Sequence, residues 1–238
     1  MPGEGAPLDF VFGGEPLRAL GDRAVYWPAR NRLLIADLHL GKGDVFRRAG
    51  IAVPRGGTGQ DLARLDVLLA ATGARELWVL GDFVHGPVRD ASWRSAWQAW
   101  RDRHAGLQVA VVAGNHDRAL AAATPASAIL RVELLPPVLR DGPFVLRHDP
   151  PRSAGAGDDG DHSDGGDGGD GGGLVLCGHL HPVFALPGMA RRWPGFWQRP
   201  GMLVLPAFSA FTGGWRVDLV PGERALLCVE GGIVPLAR

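Results

Sequence analysis

The stretch RLLIADLH at residues 32–39 joins an apolar run to an acidic residue and an imidazole. Residues Arg32 to Ala36 have the composition of a buried β-strand, and Asp37 and His39 follow it directly. Side chains two residues apart point to the same side of an extended chain, so we expect both to face one site. Carboxylates and imidazoles are ligands of divalent transition metals. The stretch therefore predicts a strand of an α/β sheet with metal ligands at its carboxyl end.

Four further segments of the chain repeat this arrangement. In each of them, an apolar run is followed by residues that can bind a cation. The segments are Gly81-Asp82, Gly114-Asn115-His116-Asp117, Arg147-His148 and Gly178-His179-Leu180-His181. An open α/β sheet presents its functional loops at the carboxyl ends of its strands, where side chains from distant segments can converge. A single Asp after a glycine is usually a turn residue, but turns alone do not explain all of these segments. Together they predict a dinuclear metal site.

The flanking residues predict alternating strands and helices. Strands are expected at residues 8–12, 24–27, 32–36, 76–80 and 107–112, with helices at residues 60–71 and 90–104. Trp93, Trp97 and Trp100 have helical spacing and are expected in the core. This alternation is typical of a largely parallel sheet. Short β-rich segments then predict a second, more antiparallel sheet packed on the first, at residues 131–135, 144–147, 174–177, 202–205, 215–220 and 225–229.

Length and composition limit the number of domains and the compartment. A chain of 238 residues can bury one substantial core, so we expect a single domain over residues 1–238. The 25 basic and 25 acidic residues balance, so the global charge indicates no particular partner. Cys177 and Cys228 lie far apart in apolar contexts, which favours buried thiols and a cytoplasmic location. The sequence shows neither a secretion signal nor an apolar membrane span, so no membrane association is expected.

A glycine- and aspartate-rich tract occupies residues 152–173. It has too few apolar residues to bury, so we expect a disordered loop within the domain. Its repeated Asp-Gly-Gly units are similar to calcium-binding repeats, but the apolar residues that such repeats interleave are missing. A solvated linker is therefore favoured over a calcium site.

In their order, the five ligand segments resemble the calcineurin-like metallophosphoesterase superfamily. Residues 36–50, 79–86, 178–182 and 205–214 are similar to a narrower branch, the ligase-associated DNA damage response endonucleases. The resemblance implies an α/β fold, an αββα sandwich of two mixed β-sheets flanked by helices. It also implies a manganese-dependent phosphodiesterase that acts on single-stranded, nicked or damaged DNA during repair. The glycine- and aspartate-rich tract is a departure from the branch pattern.

The resemblance further implies cofactors and partners. Two divalent ions are expected, with Mn²⁺ first and iron or zinc as alternatives. DNA is the expected substrate, and members of the branch are found with an ATP-dependent DNA ligase and a DNA helicase. A functional association with both enzymes is therefore expected.

Carried over by position, the resemblance implies a role for each residue of the five segments. One ion would be held by Asp37, His39, Asp82 and His181. The other would be held by Asp82, Asn115, His148 and His179, with Asp82 as the bridge. His116 would face the leaving oxygen as general acid or cationic stabiliser, with Asp117 orienting it. The nucleophile would be a hydroxide activated by two ions about 3.5–4 Å apart.

Basic and aromatic residues near these segments suggest how a nucleic acid binds. Lys42, Arg47 and Arg48 follow the first ligand pair and are expected to contact phosphates flanking the scissile one. A solvated helix face is the alternative. Two further groups of residues have alternative interpretations. Stacking platforms for unpaired bases or core packing remain open for Trp193, Phe196 and Trp197. Lining of the cleft or stabilisation of the second sheet remains open for Phe208, Phe211 and Thr212.

Two other functions remain open from the sequence. One is a small-molecule nucleotide phosphodiesterase or phosphatase of the same fold. The other is a catalytically inactive scaffold that still binds metal. Degenerate relatives usually lack a ligand or the counterpart of His116, and this chain has them all, which favours an enzyme.

Overall fold

The computed structural model describes residues 6–53, 56–86, 88, 92–121, 126–151, 173–186 and 188–238. Its strands are β1 (Leu8–Phe12), β2 (Glu15–Leu20), β3 (Ala24–Trp27), β4 (Arg32–Ile35), β5 (Glu76–Leu80), β6 (Gln108–Val112), β7 (Glu133–Leu135), β8 (Val138–Asp141), β9 (Phe144–Arg147), β10 (Leu174–Cys177), β11 (Pro182–Ala185), β12 (Arg192–Arg199), β13 (Met202–Val204), β14 (Trp215–Arg216), β15 (Arg224–Val229) and β16 (Gly232–Ala237). The helices are α1 (Lys42–Arg48), α2 (Gly57–Thr72), α3 (Arg94–Arg103) and α4 (Ala126–Leu130). The glycine- and aspartate-rich tract lies outside the described residues except for Gly173, so its predicted disorder stays a prediction.

The first sheet has the strand order β1-β2-β3-β4-β5-β6-β7. Strands β4 to β7 are parallel, and β1 to β4 form an antiparallel edge. All residues of β4 are buried, as expected for a parallel strand with both faces covered. The predicted parallel sheet is therefore confirmed, and β2 is an additional strand that joins the two expected edge strands. The expectation that residues 131–135 belong to the second sheet is wrong, because β7 pairs in parallel with β6 of the first sheet.

Helices α2 and α3 cover one face of the first sheet. The apolar face of α2 contributes Leu62, Leu65 and Leu69 to the core, and Gly73 ends the helix with a φ of 65°. The predicted tryptophan stripe is confirmed as core, since Trp97 and Trp100 are fully buried within α3. None of the helices in the described part of the chain is long and apolar enough to cross a membrane.

The second sheet has the order β14-β11-β12-β13-β10-β9-β8, and β15 and β16 extend it from β12. Most of its pairs are antiparallel, as predicted. The pairs of β10 with β9 and with β13 are parallel, however. This parallel centre was not expected from the sequence, and it directs the carboxyl ends of β9 and β10 to one edge.

The two sheets pack face to face around a shared core. Leu34, Leu80 and Val112 of the first sheet contact an apolar cluster that includes Phe144 and Leu176 of the second. The described residues thus form two mixed β-sheets with flanking helices, which confirms the predicted sandwich.

Several open assignments are settled by burial. Trp193, Phe196 and Trp197 are at most 8% exposed, so these β12 residues pack in the core and do not form a stacking platform. The two cysteines are buried free thiols, as predicted.

Candidate metal centre

The ends of β4, β5, β6, β9 and β10 carry the predicted ligands to one edge of the sandwich. Asp37 N donates to Gly81 O at 3.2 Å, which continues the pairing of β4 and β5 past the strands. Gly178 N donates to His148 O at 3.0 Å, which does the same for β9 and β10. The two sheets are joined at this edge because Phe208 N donates to Ala36 O at 2.8 Å. Five loops therefore meet where the sheets meet.

The ligand residues leave their strands through sharp turns. Positive φ values occur at Asp37 (55°), His39 (48°), Asp82 (50°), His179 (67°) and His181 (47°). Such left-handed conformations are costly for non-glycine residues and cluster at functional sites. The expectation that an extended chain places Asp37 and His39 on one side is wrong. Both side chains reach the site because the backbone turns at each of them.

The first predicted ligand set comes together as expected. Donor atoms of Asp37, His39 and His181 lie within 4.8 Å of one another. Asp37 Oδ1 is 3.1 Å from His181 Nε2, and His39 Nε2 is 3.8 Å from Asp82 Oδ2. The predicted first ion would lie among these atoms.

The second predicted set surrounds the other oxygen of Asp82. His148 Nε2 is 3.4 Å from Asp82 Oδ1 and 3.2 Å from His179 Nδ1. Asp82 therefore faces one imidazole group with each carboxylate oxygen, which is the position of a bridge. Asn115 lies at the exposed side of this set, where its Nδ2 donates to Asp149 Oδ1 at 3.3 Å.

Several buried polar atoms of the site have no partner among the described residues. Asp37 Oδ1 accepts no hydrogen bond, and neither nitrogen of the His39 ring makes one. A buried polar atom without a partner is destabilising, and a bound cation would remove that cost. The mixture of carboxylate, amide and imidazole donors suits manganese, iron or zinc. The residues present therefore fit a pair of divalent ions.

Backbone carbonyls orient two of the imidazole rings by accepting a hydrogen bond from the Nδ1 atom of each ring. His148 Nδ1 donates to Leu80 O at 3.0 Å, and His181 Nδ1 donates to Gly213 O at 3.2 Å. This arrangement leaves the Nε2 lone pair of each ring directed into the site, as metal-binding histidines require.

The buried charges shift the pKa values of the ligands. Burial acts to lower the pKa of His148, but its hydrogen bond to Asp82 and the charge of Asp37 outweigh this and raise that pKa to about 9. Burial acts to raise the pKa of Asp82, but the hydrogen bond and charge of His148 and the backbone hydrogen bond from His116 together outweigh it and hold that pKa below its usual range. Burial lowers the pKa of His39, so its ring is neutral and able to bind a cation.

His116 lies on the open side of the bridge. Its Nε2 is 3.8 Å from Asp82 Oδ2, its side chain is 48% exposed, and its backbone N–H donates to Asp82 Oδ1 at 3.0 Å. The ring can therefore face a substrate that enters from solvent, as the general-acid role requires.

Asp117 holds a loop instead of an imidazole. Its carboxylate accepts the N–H groups of Phe83 at 2.9 Å, Val84 at 3.2 Å and Gly114 at 3.0 Å. Burial raises the pKa of Asp117 to about 6, against the effect of these hydrogen bonds. Both carboxylate oxygens of Asp117 accept backbone N–H groups, so the structure gives it a role in the loop, and the orientation of the His116 ring by Asp117 stays a prediction.

Two neighbours of the site, His85 and Asp149, were not among the predicted site residues. The His85 ring packs against His116 and His39, with ring centroids 4.6 Å and 5.3 Å apart, and its Nδ1 is buried without a partner among the described residues. Asp149 contacts His179 and Asn115. The available signal was sequence position, since His85 is three residues after Asp82 and Asp149 directly follows His148.

A cavity of about 290 Å³ begins beside His39. Lys42, Arg47 and Phe211 line it together with Gly57 at the first turn of α2. Two of the three predicted basic residues therefore lie next to the metal centre. Arg48 is exposed at the end of α1 and does not line this cavity.

Phe208, Phe211 and Thr212 have different positions in the structure. Phe208 is fully buried, and the guanidinium of Arg64 lies 4.2 Å from the centre of its ring. Thr212 donates from Oγ1 to Ser209 O at 2.9 Å and so stabilises the turn. Phe211 alone of these three lines the cavity.

Known proteins resemble this chain over most of its length. The sequence profile of the calcineurin-like phosphoesterase family matches residues 31–194. The crystal structure of a nuclease from Pseudomonas putida, MPE, is 36% identical, covers 97% of this chain and 100% of its own, and has a TM-score of 0.76. YfcE, a phosphoesterase from E. coli, is 17% identical over 87% of this chain and 98% of its own, with a TM-score of 0.45. A search of curated proteins found no significant match.

The profile match spans all five ligand segments. These are the residues that converge at the edge of the sandwich. The chain therefore belongs to the calcineurin-like phosphoesterase family and is a metal-dependent hydrolase of phosphoester bonds.

Proposed function

We propose that this protein is a manganese-dependent nuclease that hydrolyses phosphodiester bonds in single-stranded or damaged DNA during repair. The observation that carries the proposal is a complete ligand set with a cavity beside it, to which Lys42 and Arg47 contribute positive charges next to the carboxylates of Asp44 and Asp61. A monoester needs only the metal centre, whereas a nucleic acid also needs contacts to neighbouring phosphates. The likeness to a nuclease over nearly the whole chain supports the same choice.

Different residues of the site would carry out different parts of the hydrolysis. Two bound ions would orient the phosphoryl group and lower the pKa of an attacking water. Asp82 would provide the carboxylate shared by the two ions, because its two oxygens face different imidazoles. His116 lies on the exposed side of that carboxylate and is placed to protonate the leaving oxygen. General acid catalysis of this kind contributes about 10²–10⁴-fold in rate.

The cavity has features that suit the part of a DNA strand on one side of the scissile phosphate. Lys42 lines the cavity together with His39. Burial lowers the pKa of Lys42, and the charges of Asp37 and Asp82 act in the opposite direction. The first turn of α2 adds backbone N–H groups with no side-chain cap among the described residues. Backbone donors at a helix start favour a phosphate. Phe211 adds an aromatic wall on which an unpaired base can stack.

A metal-by-substrate matrix tests the proposal. Purified protein is incubated with Mn²⁺, Zn²⁺ or Mg²⁺ and with single-stranded DNA, nicked duplex, RNA, a cyclic nucleotide, a chromogenic diester or a monoester. We expect cleavage of single-stranded or nicked DNA with Mn²⁺. Hydrolysis of nucleotide diesters without DNA cleavage would favour the small-molecule phosphodiesterase. Metal binding without any hydrolysis would favour the inactive scaffold.

Substitution of the basic residues tests the DNA interaction separately. Arg47→Gln and Arg48→Gln remove charges at the cavity and at the end of α1, and Arg18→Gln removes an exposed arginine of β2 as the control. Each lost phosphate contact should reduce the slope of log affinity against log salt by about one. We expect weaker DNA cleavage from the first two variants and unchanged hydrolysis of the chromogenic diester. Equal loss on both substrates would place these arginines in folding or catalysis.

We also propose a cytoplasmic location and a functional association with an ATP-dependent DNA ligase and a DNA helicase. The buried free thiols of Cys177 and Cys228 support a reducing compartment. The association rests on the branch resemblance described above. Co-purification of both enzymes with the tagged protein from its native host tests it, and recovery of neither would count against it.

A further inference from the structure

Asp149 is a carboxylate at the metal centre that the sequence reasoning did not use. It directly follows the ligand His148 at the end of β9. Its Oδ1 lies 3.1 Å from His179 Nδ1 and 3.3 Å from Asn115 Nδ2. One oxygen of Asp149 therefore contacts two of the four residues expected to hold the second ion.

The distances among the donor atoms match shared coordination. His179 Nδ1 is 3.2 Å from His148 Nε2 and 3.1 Å from Asp149 Oδ1. Ligands held about 2.1 Å from one ion at right angles lie about 3 Å apart. The donor atoms of Asp149, His148 and His179 also lie within 4.8 Å of one another. A single cation can therefore contact all three.

The orientation of the rings points to the same position. His148 uses Nδ1 for the carbonyl of Leu80, so its Nε2 is the atom directed toward His179. Two imidazole nitrogens that face each other need either a proton or a cation between them. Asp149 adds negative charge at that point, and its side chain is 44% exposed, so burial does not force it there.

We propose that Asp149 Oδ1 is an additional ligand of the second ion, together with Asp82, Asn115, His148 and His179. In the same position, Asp149 accepts a hydrogen bond from Asn115 Nδ2 and so turns the amide oxygen of Asn115 toward the ion. The inference depends on the dinuclear centre and not on DNA as the substrate. It makes the second site richer in oxygen than the first, which favours a harder cation such as Mn²⁺ over Zn²⁺ there.

Metal binding to Asp149→Asn tests the proposal directly. The metal-free protein is titrated with Mn²⁺ by calorimetry, and the bound ions are examined by electron paramagnetic resonance. We expect one of the two affinities to fall by about tenfold or more, as for other groups that support metal sites. At limiting Mn²⁺, the coupled signal of an ion pair should give way to that of an isolated ion. Two ions bound with wild-type affinity would overturn the proposal.

A matched substitution controls for the loss of one negative charge. Asp102→Asn removes an exposed carboxylate whose described partner is Arg131, away from the metal centre. It should bind both ions as the wild type does. Thermal unfolding in chelator should show that both variants are folded. If high salt abolished the loss of Mn²⁺ affinity in Asp149→Asn, the carboxylate would act through long-range electrostatic attraction and not as a ligand, which would overturn the proposal.

A double-mutant cycle separates ligation from support of Asn115. If Asp149 only oriented the Asn115 amide, adding Asp149→Asn to Asn115→Ala would cause no further loss of Mn²⁺ affinity. We expect a further loss of several-fold, because a ligand contributes whether or not the amide is present. No further loss in the double variant would overturn the ligand assignment.

Discussion

At the scale of single residues, the centre depends on which atom of each side chain remains available. Asp82 directs one oxygen toward His39 and the other toward His148. The Leu80 carbonyl occupies the far nitrogen of His148, so only its near nitrogen can bind a cation. The types of donor follow from the sequence, but these pairings follow from the positions of backbone groups in other strands.

Removing the His116 ring should impair catalysis without removing metal. His116→Ala keeps the backbone N–H that donates to Asp82 and loses only a half-exposed ring. We expect kcat to fall by about 10²–10⁴-fold with two ions still bound. Steady-state kinetics and metal analysis of the purified variant measure both quantities. His104→Ala, outside the site and paired with Asp66, is the control, and loss of metal from His116→Ala would contradict the assigned role.

The raised pKa of His148 predicts a pH dependence of the metal-free protein. The folded value is about 9, above the unfolded value of about 6.5, so the charged form is favoured by folding. This contribution is complete below about pH 6.5 and is lost as the pH rises through about 9. Since metal binds the neutral ring, Mn²⁺ affinity should increase over the same range.

Thermal unfolding in chelator and Mn²⁺ titrations across that range measure the two effects. The melting temperature of wild-type protein should fall as the pH rises through about 9. The melting temperature of His148→Gln should not show this fall, because the variant has no imidazole at this position to titrate. A wild-type profile that matched the variant would show that another group is responsible.

At the scale of elements, strand ends and the turns that follow them position the site. The carboxyl ends of β4, β5 and β6 lie side by side because these strands are parallel. Sharp turns then bring the ligands inward, and close packing leaves little room at the glycines. A Cβ at Gly81 would lie 2.3 Å from the His148 ring, whereas one at Gly73 would have no atom within 4 Å.

Alanine at these two glycines should therefore have different effects. Both have a positive φ, 74° at Gly81 and 65° at Gly73, which costs about 1–2 kcal/mol for a residue with a side chain. Gly73→Ala should show only that loss of unfolding free energy and keep full activity. Gly81→Ala should lose more stability and should bind Mn²⁺ weakly, because the added methyl group displaces His148.

Urea unfolding in chelator and Mn²⁺ titration compare the two variants. Equal stability losses together with intact metal binding in both would show that the His148 ring moves aside without consequence.

At the scale of the whole molecule, the metal centre connects the two sheets. Asp37 and Asp82 follow strands of the first sheet, and His148 and His179 follow strands of the second. Backbone contacts such as Phe208 N to Ala36 O complete the junction. Ions bound by all four residues would favour the packed sheets over the unfolded chain.

Mn²⁺ should consequently raise the stability of the wild type. A ligand that binds only the folded state adds about 2.7 kcal/mol at a concentration of 100 times its Kd. We expect a higher melting temperature with Mn²⁺ than with chelator, measured by differential scanning calorimetry, and parallel loss of activity in chelator. Asp82→Asn removes the negative charge of the proposed bridge and should show little of this increase. An equal increase in that variant would place the stabilising ions elsewhere.

The sequence by itself determined the donor residues, their order along the chain and the parallel strands β4 to β6 that carry the first three ligand segments, because apolar periodicity and residue chemistry are local properties. It also predicted the tryptophan core of α3. It did not determine the turns at Asp37 and His39, the backbone role of Asp117, or the approach of Asp149 to His179. Those depend on contacts between residues that are distant in the chain. Only the packing of the two sheets brings their carbonyls, N–H groups and side chains within bonding distance.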